Sequence, residues 1–402
     1  MAKAPSFILA TEFYPPDPST TATYLGAIAD AIALDMQVVV LSGTPGSARP
    51  KSGKDTPEVI EIANWRPPKQ ALVRRLIASS ALATRLFWAV YRRATAGDVV
   101  MSVTSPFTLP YAITLAARLR GARTALLIYD LYPEALLAAG MARQTSLVTR
   151  ALRIANGWLF RSLNAIFVIG RDVPPLLLRY PHVRADNIHF VPNWTLLPIG
   201  FRDPDDGGNV RKPYAAPFTV GLCGNLGFTH APRTVFEAAR LLRHEKHIHF
   251  VLSGWGVGWN ELKTLQDSDN LDNVTLLDPV PEEQLAEFLA AADVWVIPYR
   301  RNVAGVSIPS RLYNLLAVGR AVIAGTEPNS EAGLAVTEED IGWVVPPEDP
   351  VSLAQAISEA ASDRAATLER GRKAAVVALK YSEQASTLRY REIMLSLVAD
   401  ND

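Results

Sequence analysis

The chain reads as an α/β protein built from two doubly wound domains, and three observations predict it. Short apolar runs of strand type alternate with helical patterns almost throughout, which is the pattern of parallel sheets covered on both faces. At 402 residues the chain exceeds what one hydrophobic core usually supports, so two domains are expected. The polar stretch Phe201 to Pro213, bearing Pro and Gly and lacking periodicity, interrupts the alternation as a linker does. The expected division is a first domain over 1–198, a linker over 199–214, a second domain over 215–375, and a last helix over 376–402 that packs back on the first domain.

In the first half, Phe7–Thr11, Gln37–Leu41, Asp98–Val103, Thr124–Tyr129, Ala165–Ile169 and Ile188–Pro192 read as core strands, most of them separated by helical patterns. The alternation restarts at Phe218–Gly224 and continues through His249–Ser253, Val274–Leu277, Val294–Ile297, Val322–Ala324 and Gly342–Val345. From Ser352 to about Ala399 the pattern is helical. Repeats and low-complexity segments are absent.

Forty basic and forty acidic residues balance, which argues against a general nucleic-acid binder. Cys223 is the only cysteine, can form no intrachain disulfide, and reads as a small buried residue in a reducing compartment. The apolar run near the amino terminus is too short for a signal peptide, and no run approaches the roughly 20 apolar residues of a membrane span. The expectation is a cytoplasmic protein that can touch the inner face of a membrane.

Ligands of open parallel sheets sit at the carboxyl ends of the strands. There, Gly305 to Gly325 joins a helix start, a buried helix and a core strand around Arg311. Ser307 or Ser310 can cap the helix, Pro309 suits its first turn, and Arg311 adds a fixed charge beside N–H groups that already favour an anion. An ordinary capped helix would read the same way. Two glycine-rich turns, Gly224-Asn225-Leu226-Gly227 and Gly254-Trp255-Gly256-Val257-Gly258, end the first two strands of that domain, where backbone can approach a ligand closely. In the first domain Ser19, Thr20 and Thr21 can hold an anion or a sugar, with plain helix capping as the simpler reading. Asp203-Pro204-Asp205 and Asp267-Ser268-Asp269 follow no core strand and read as solvated loops, so no metal site is expected.

The ordered set Phe13-Tyr-Pro-Pro16, Tyr129-Asp-Leu-Tyr-Pro-Glu134, Phe190-Val-Pro-Asn193, Gly224 to Gly227, Gly254-x-Gly256, Leu289 to Pro298 and Ser307-Ile-Pro-Ser-Arg311 resembles glycosyltransferase family 4. It looks most like the branch that makes bacterial O-antigen, capsule or exopolysaccharide. The resemblance implies the GT-B fold, two Rossmann-like domains with a cleft between them. It also implies a nucleotide-sugar donor held mainly by the second domain, a glycan acceptor held mainly by the first, retention of anomeric configuration, and no metal or other cofactor.

The carry-over is partial. Where many relatives have a Glu-x7-Glu pair, this chain has Val306 and Asn314; Asn314 can still bond ribose hydroxyls, and Val306 cannot replace its carboxylate. The Arg and Lys that grip the diphosphate fall on Asn225 and His230, which leaves Arg311 as the main candidate and His230 as a secondary one. The family's catalytic His falls on Tyr129. Asp130 and Glu134 could orient an acceptor hydroxyl or cap the helix starting near Pro133. Glu331 matches a carboxylate that contacts donor, or it favours its helix's first turn. Departure of a sugar from a nucleoside diphosphate needs charge stabilised on the leaving phosphates, the task of Arg311 and helix N–H groups. A glycosidase would need a matched acid and base, and no such pair stands out.

From Arg66 to Arg93 there are seven basic residues and no acidic one. Read as one helix, Arg74, Arg85 and Arg92 fall nearly on one line, joined by Arg75 and Arg93, with Leu72, Leu76, Leu86, Phe87 and Val90 on the opposite arc. Such a helix can rest on an anionic bilayer, or cover the sheet with its apolar arc. The functional expectation is a retaining glycosyltransferase acting on a lipid-linked glycan. Its rivals are a nucleotide-sugar 2-epimerase of the same architecture and a non-catalytic nucleotide-sugar-binding partner of another transferase.

Overall fold

The computed structural model describes residues 4–43, 55–68, 71–206, 217–307 and 310–399. Pro309, Lys69, the linker from Gly207 to Pro213 and the side chain of Leu72 lie outside the described residues. Two compact units form: Met1–Glu134, Ala142–Pro192 and Glu383–Asp402 make the first, Ala135–Met141 and Asn193–Ser382 the second. The chain thus returns to its first unit at Glu383, a few residues later than the expected 376.

The first unit holds seven strands, β1 (Ser6–Thr11), β2 (Gln37–Ser42), β3 (Glu58–Glu61), β4 (Val99–Val103), β5 (Arg123–Ile128), β6 (Ala165–Val168) and β7 (Ile188–Phe190). They run parallel in the order β3-β2-β1-β4-β5-β6-β7. All residues of β1 and β4 are buried, which is why these runs are predominantly apolar, with Ser6, Thr11 and Ser102 the polar exceptions. The edge strand β3 was not expected; its Glu-Val-Ile-Glu sequence is half-buried to exposed and carries no apolar run. Helices Leu72–Arg93, Leu109–Leu119 and Leu147–Arg161 touch in series and form one layer, whereas Thr20–Ala33 packs on Glu383–Ala399.

The second unit holds β8 (Phe218–Asn225), β9 (Ile248–Trp255), β10 (Val274–Leu277), β11 (Val294–Pro298), β12 (Ala321–Gly325) and β13 (Gly342–Val345), in the order β10-β9-β8-β11-β12-β13. All its neighbouring strands are parallel.

One device recurs. Asp98, just before β4, is buried and accepts from the Ser6 N–H and hydroxyl at 2.8 Å, and from the Thr95 N–H and hydroxyl at 2.8 Å. Asp293, just before β11, is equally buried and accepts from the Thr219 N–H at 2.7 Å and the Arg364 Nε at 2.7 Å. In each unit a carboxylate before the fourth strand pins the start of the first. The expected solvated loop at Asp203–Asp205 proves structural, because Asp205 takes both Nη atoms of Arg364 at 3.0 and 2.8 Å.

The Leu72–Arg93 helix corrects the bilayer reading of its apolar arc. Leu86 and Val90, with Leu82 and Ala89, are buried against β-strand residues Ile8, Val39 and Val100, and Phe87 packs on that cluster. The sheet uses that arc. Leu76 is 49 % exposed and belongs with Val73, Ile77 and Trp88 on the open side, beside exposed Arg74, Arg75, Arg85, Arg92 and Arg93.

Candidate active site

In the second unit the strand order reverses between β8 and β11, the place where doubly wound sheets bind ligands. β8 ends in Gly224 and Asn225, paired in register with Gly254 and Trp255 of β9. A Cβ on Gly254 would lie 2.4 Å from the Gly224 carbonyl oxygen, and one on Gly256 2.8 Å from the Asn225 Oδ1. Gly256 also has φ of 101° and opens the Val257–Asp269 helix without a side-chain cap. These two glycines are therefore required by the approach of the two turns to each other. Gly227 is different: a Cβ there would meet nothing nearer than Asn225 at 4.0 Å.

Arg311 is the second residue of the Ser310–Ala317 helix and is half-buried. Its guanidinium lies against Gly224, 3.3 Å from where a Cβ would stand, and its Nη2 donates to the Asn225 carbonyl. Its Nη1 is buried and has no hydrogen-bond partner among the described residues. Burial pulls the guanidinium pKa down, opposed by Tyr299 and Cys223. An arginine stays charged under such pressure, so a cation is held where an anion would complete its bonding.

His230 is no second cation. It is buried and stacked on Tyr299 at 5.0 Å between ring centroids. Burial, and then the Arg311 charge, pull its pKa down to about 3. The imidazole is neutral at pH 7 and can serve the diphosphate only as a hydrogen-bonding group. Thr229 Oγ1 lies 3.3 Å from its Nδ1 and donates to Ser307 Oγ at 3.4 Å. Ser310 is exposed at the helix start. Asn314 Oδ1 accepts from the Thr195 hydroxyl and the Leu196 N–H, both at 3.3 Å, so a ribose role falls to its amide nitrogen. Glu331 opens the Glu331–Glu338 helix beyond β12 and is 1 % exposed, and the Ser330 cap accepts from the Gly333 N–H.

In the first unit the order reverses between β1 and β4. There a cavity of about 410 Å³ is lined by Glu12, Phe13, Asn64, Arg66, Asp130 and Tyr132 among others. Asp130 follows β5, and its N–H and that of Tyr129 donate to Thr104 Oγ1 at 3.1 and 3.0 Å, fixing the strand end. Although Asp130 opens to solvent at the cavity, the surrounding protein raises its carboxyl above the usual aspartate range. Glu12 is also raised, by burial, against the Asn64 amide that donates to it at 3.3 Å and the charges of Arg66 and Arg75. Arg66 pairs with Asp17 at 3.0 Å and covers the Phe13 ring at 5.0 Å. Glu12, Asn64 and Arg66 were missed in the sequence; Glu12 was within reach, since it directly follows β1.

The other first-unit candidates lie elsewhere. Ser19 is the N-cap of Thr20–Ala33, accepting from the Ala22 N–H at 3.3 Å, and Thr20 and Thr21 form that helix's first turn. The Tyr129 hydroxyl is buried, and burial among Tyr390 and Tyr24 raises its pKa well above the usual phenol range. The residue as a whole is half-buried, so contact with an acceptor would fall to its ring and not to its hydroxyl. Glu134 lines a separate cavity of about 660 Å³ with Arg153, Arg161 and Arg179, so it does not share a cavity with Asp130. Among the described residues no His, Cys, Asp and Glu cluster that could hold a metal ion occurs, and no helix is long and apolar enough to cross a membrane.

Residues 19–194 match the family described as glycosyl transferase 4-like domain, and residues 217–363 the family glycosyl transferases group 1. "Probable glycosyltransferase WbjE" of Pseudomonas aeruginosa is 27 % identical over 338 residues, 84 % of each chain. WcaI of Escherichia coli K12, named for colanic acid biosynthesis, is 27 % identical over 311 residues, 74 % of this chain and 75 % of its own. Among solved structures, sucrose-phosphate synthase from Thermosynechococcus elongatus aligns with a TM-score of 0.75 at 16 % identity, over 98 % of this chain and 100 % of that one. Anabaena Alr3699/HepE in complex with UDP-glucose aligns with a TM-score of 0.70 at 15 % identity, over 97 % and 99 % of the two chains. The fold is GT-B.

Proposed function

Because the chain belongs to glycosyltransferase family 4, we propose that it moves a sugar, with retention and without a metal, from a nucleoside-diphosphate sugar to a lipid-linked glycan in bacterial envelope polysaccharide assembly. The observation that carries the donor half is the buried Nη1 of Arg311, without a hydrogen-bond partner among the described residues, at the end of β8. A departing diphosphate gathers negative charge, and a preplaced guanidinium at a helix start stabilises that charge without reorganising. Asn225, Gly227 and the His230 imidazole supply neutral contacts, and Asn314 and Glu331 remain candidates for the donor's sugars. The UDP-glucose held by the HepE neighbour supports a uridine donor as the first to try.

For the acceptor half, Asp130 stands at the mouth of an aromatic-walled cavity, and its raised carboxyl can orient a hydroxyl until the leaving phosphate takes the proton. Polysaccharide assembly is supported by the name of WcaI. Contact of the Leu72–Arg93 helix with the inner face of a membrane, through Arg74, Arg75, Arg85, Arg92 and Arg93, would bring a lipid-linked acceptor within reach.

The test incubates the protein with UDP-, GDP- and dTDP-sugars, with and without a membrane extract as acceptor. Acceptor-dependent release of free nucleoside diphosphate, lost in Arg311→Ala, is expected. Release without acceptor would favour an epimerase or hydrolase, and unchanged turnover in Arg311→Ala would remove its assigned role.

A further inference from the structure

The cavity beside Glu134 is not accounted for by donor or acceptor. It measures about 660 Å³ and is lined by Arg153, Arg161, Arg179, Trp158, Tyr180 and Glu134 among others. Arg153 Nε stands 3.8 Å from Glu134 Oε1, a loose pairing, while Glu134 Oε2 is buried with no hydrogen-bond partner among the described residues. Arg153 and Arg179 thus act on one carboxylate, and Arg161 lines the same cavity. Burial raises that carboxyl above the ordinary glutamate range, against the charges of Arg153 and Arg179.

The surroundings limit what the anion can be. The helix that supplies Arg153, Trp158 and Arg161 belongs to the layer formed with Leu72–Arg93 and Leu109–Leu119, and these three helices carry nine arginines and no Asp or Glu. On the same helix Leu147, Val148 and Ile154 are 80, 63 and 77 % exposed. The spacing of Leu147 and Ile154, seven apart with Ala151 between them, puts them on one stripe. A soluble anion would need the guanidinium groups but not these side chains; an anionic lipid would use both.

We propose that this cavity binds a phosphate ester, the headgroup of an anionic lipid, with the arginines on the phosphate and Leu147, Val148 and Ile154 entering the acyl boundary. The site lies within the first unit and does not rest on the transfer reaction.

Gly157 gives a charge-neutral test. It lines the cavity in mid-helix, and a Cβ there would meet only Tyr180, at 3.9 Å, so Gly157→Leu fills the space without backbone strain. Flotation with phosphatidylcholine vesicles, with and without phosphatidylglycerol, is run on wild type, Gly157→Leu and Arg161→Glu/Arg179→Glu, beside thermal melts with inorganic phosphate. Wild type is expected to float only with phosphatidylglycerol. The arginine pair should lose at least about fivefold in affinity per charge removed, the equivalent of about 1 kcal/mol each. Gly157→Leu should lose binding while its melting temperature and its stabilisation by nucleotide stay at wild-type values. Loss in the arginine variant alone would show diffuse attraction and overturn the cavity site. Stabilisation by inorganic phosphate that Gly157→Leu abolishes, with flotation unchanged, would overturn the lipid assignment in favour of a soluble phosphate ester.

Discussion

Replacing His230 with Gln should make the protein less sensitive to acid, and the size of the effect follows from where the ring sits. In the unfolded chain this histidine titrates near its ordinary value of 6.5, whereas burial and the Arg311 charge take it to about 3 in the fold. Above pH 6.5 the ring is neutral in both states and contributes no pH dependence. Below pH 6.5 the unfolded chain binds a proton that the folded ring refuses, so stability falls as pH drops toward about 3, by about 1.4 kcal/mol per unit. At pH 5.0 the loss is about 2 kcal/mol, and this holds even if the folded value is a full unit higher, because both lie below the measurement. Urea melts of wild type and His230→Gln at pH 7.5 and 5.0 isolate the effect, since other groups cancel in the difference. Equal losses in the two proteins would mean that the ring is charged in the fold, and the single-cation description of the donor site would be wrong.

Other expected outcomes concern glycines, carboxylates and an ion pair. Gly254→Ala must displace the Gly224 backbone, at a cost of about 1–3 kcal/mol in a chemical melt. Gly227→Ala, with open space around it, should stay within about 0.5 kcal/mol of wild type yet weaken nucleotide binding, and unchanged binding would remove Gly227 from the site. Asp130→Asn should lower kcat on the acceptor by about 10²-fold and leave the donor KM unchanged, a split that a structural role would not produce. Arg364→Ala takes away a guanidinium 2.7 Å from the buried Asp293 carboxylate, and should cost about 3 kcal/mol in a urea melt.

The legible parts of the fold share a cause. Strands buried on both faces, such as β11 and β12, must be apolar along their whole length and announce themselves. β3 did not, because an edge strand with Glu at both ends satisfies no such demand. Arg311 stood out as a basic residue at a helix start beside a core strand, a local pattern. The state of His230 depends on burial by Tyr299 and on a charge 81 positions away, and the Glu12 cavity is assembled from Asn64, Arg66 and Asp130, far apart in the chain. Tyr129 reads as a strand-end residue open to ligand, and only the fold, which brings Tyr390 and Tyr24 near, buries its hydroxyl. The glycines at 254 and 256 were recognised as sites of close approach, but the partner they approach is the neighbouring turn.

Thermal melting of wild type and Arg311→Met against UDP, GDP, dTDP and their sugars tests the donor site most directly, since a ligand bound only by the folded state at 100 times its Kd adds about 2.7 kcal/mol. One base family should stabilise wild type. Arg311→Met, having lost a buried cation with an unsatisfied Nη1, should melt at or above the wild-type temperature without ligand and gain nothing from the nucleotide. Nucleotide stabilisation that survives in Arg311→Met, or is missing from wild type with every base, would contradict the account.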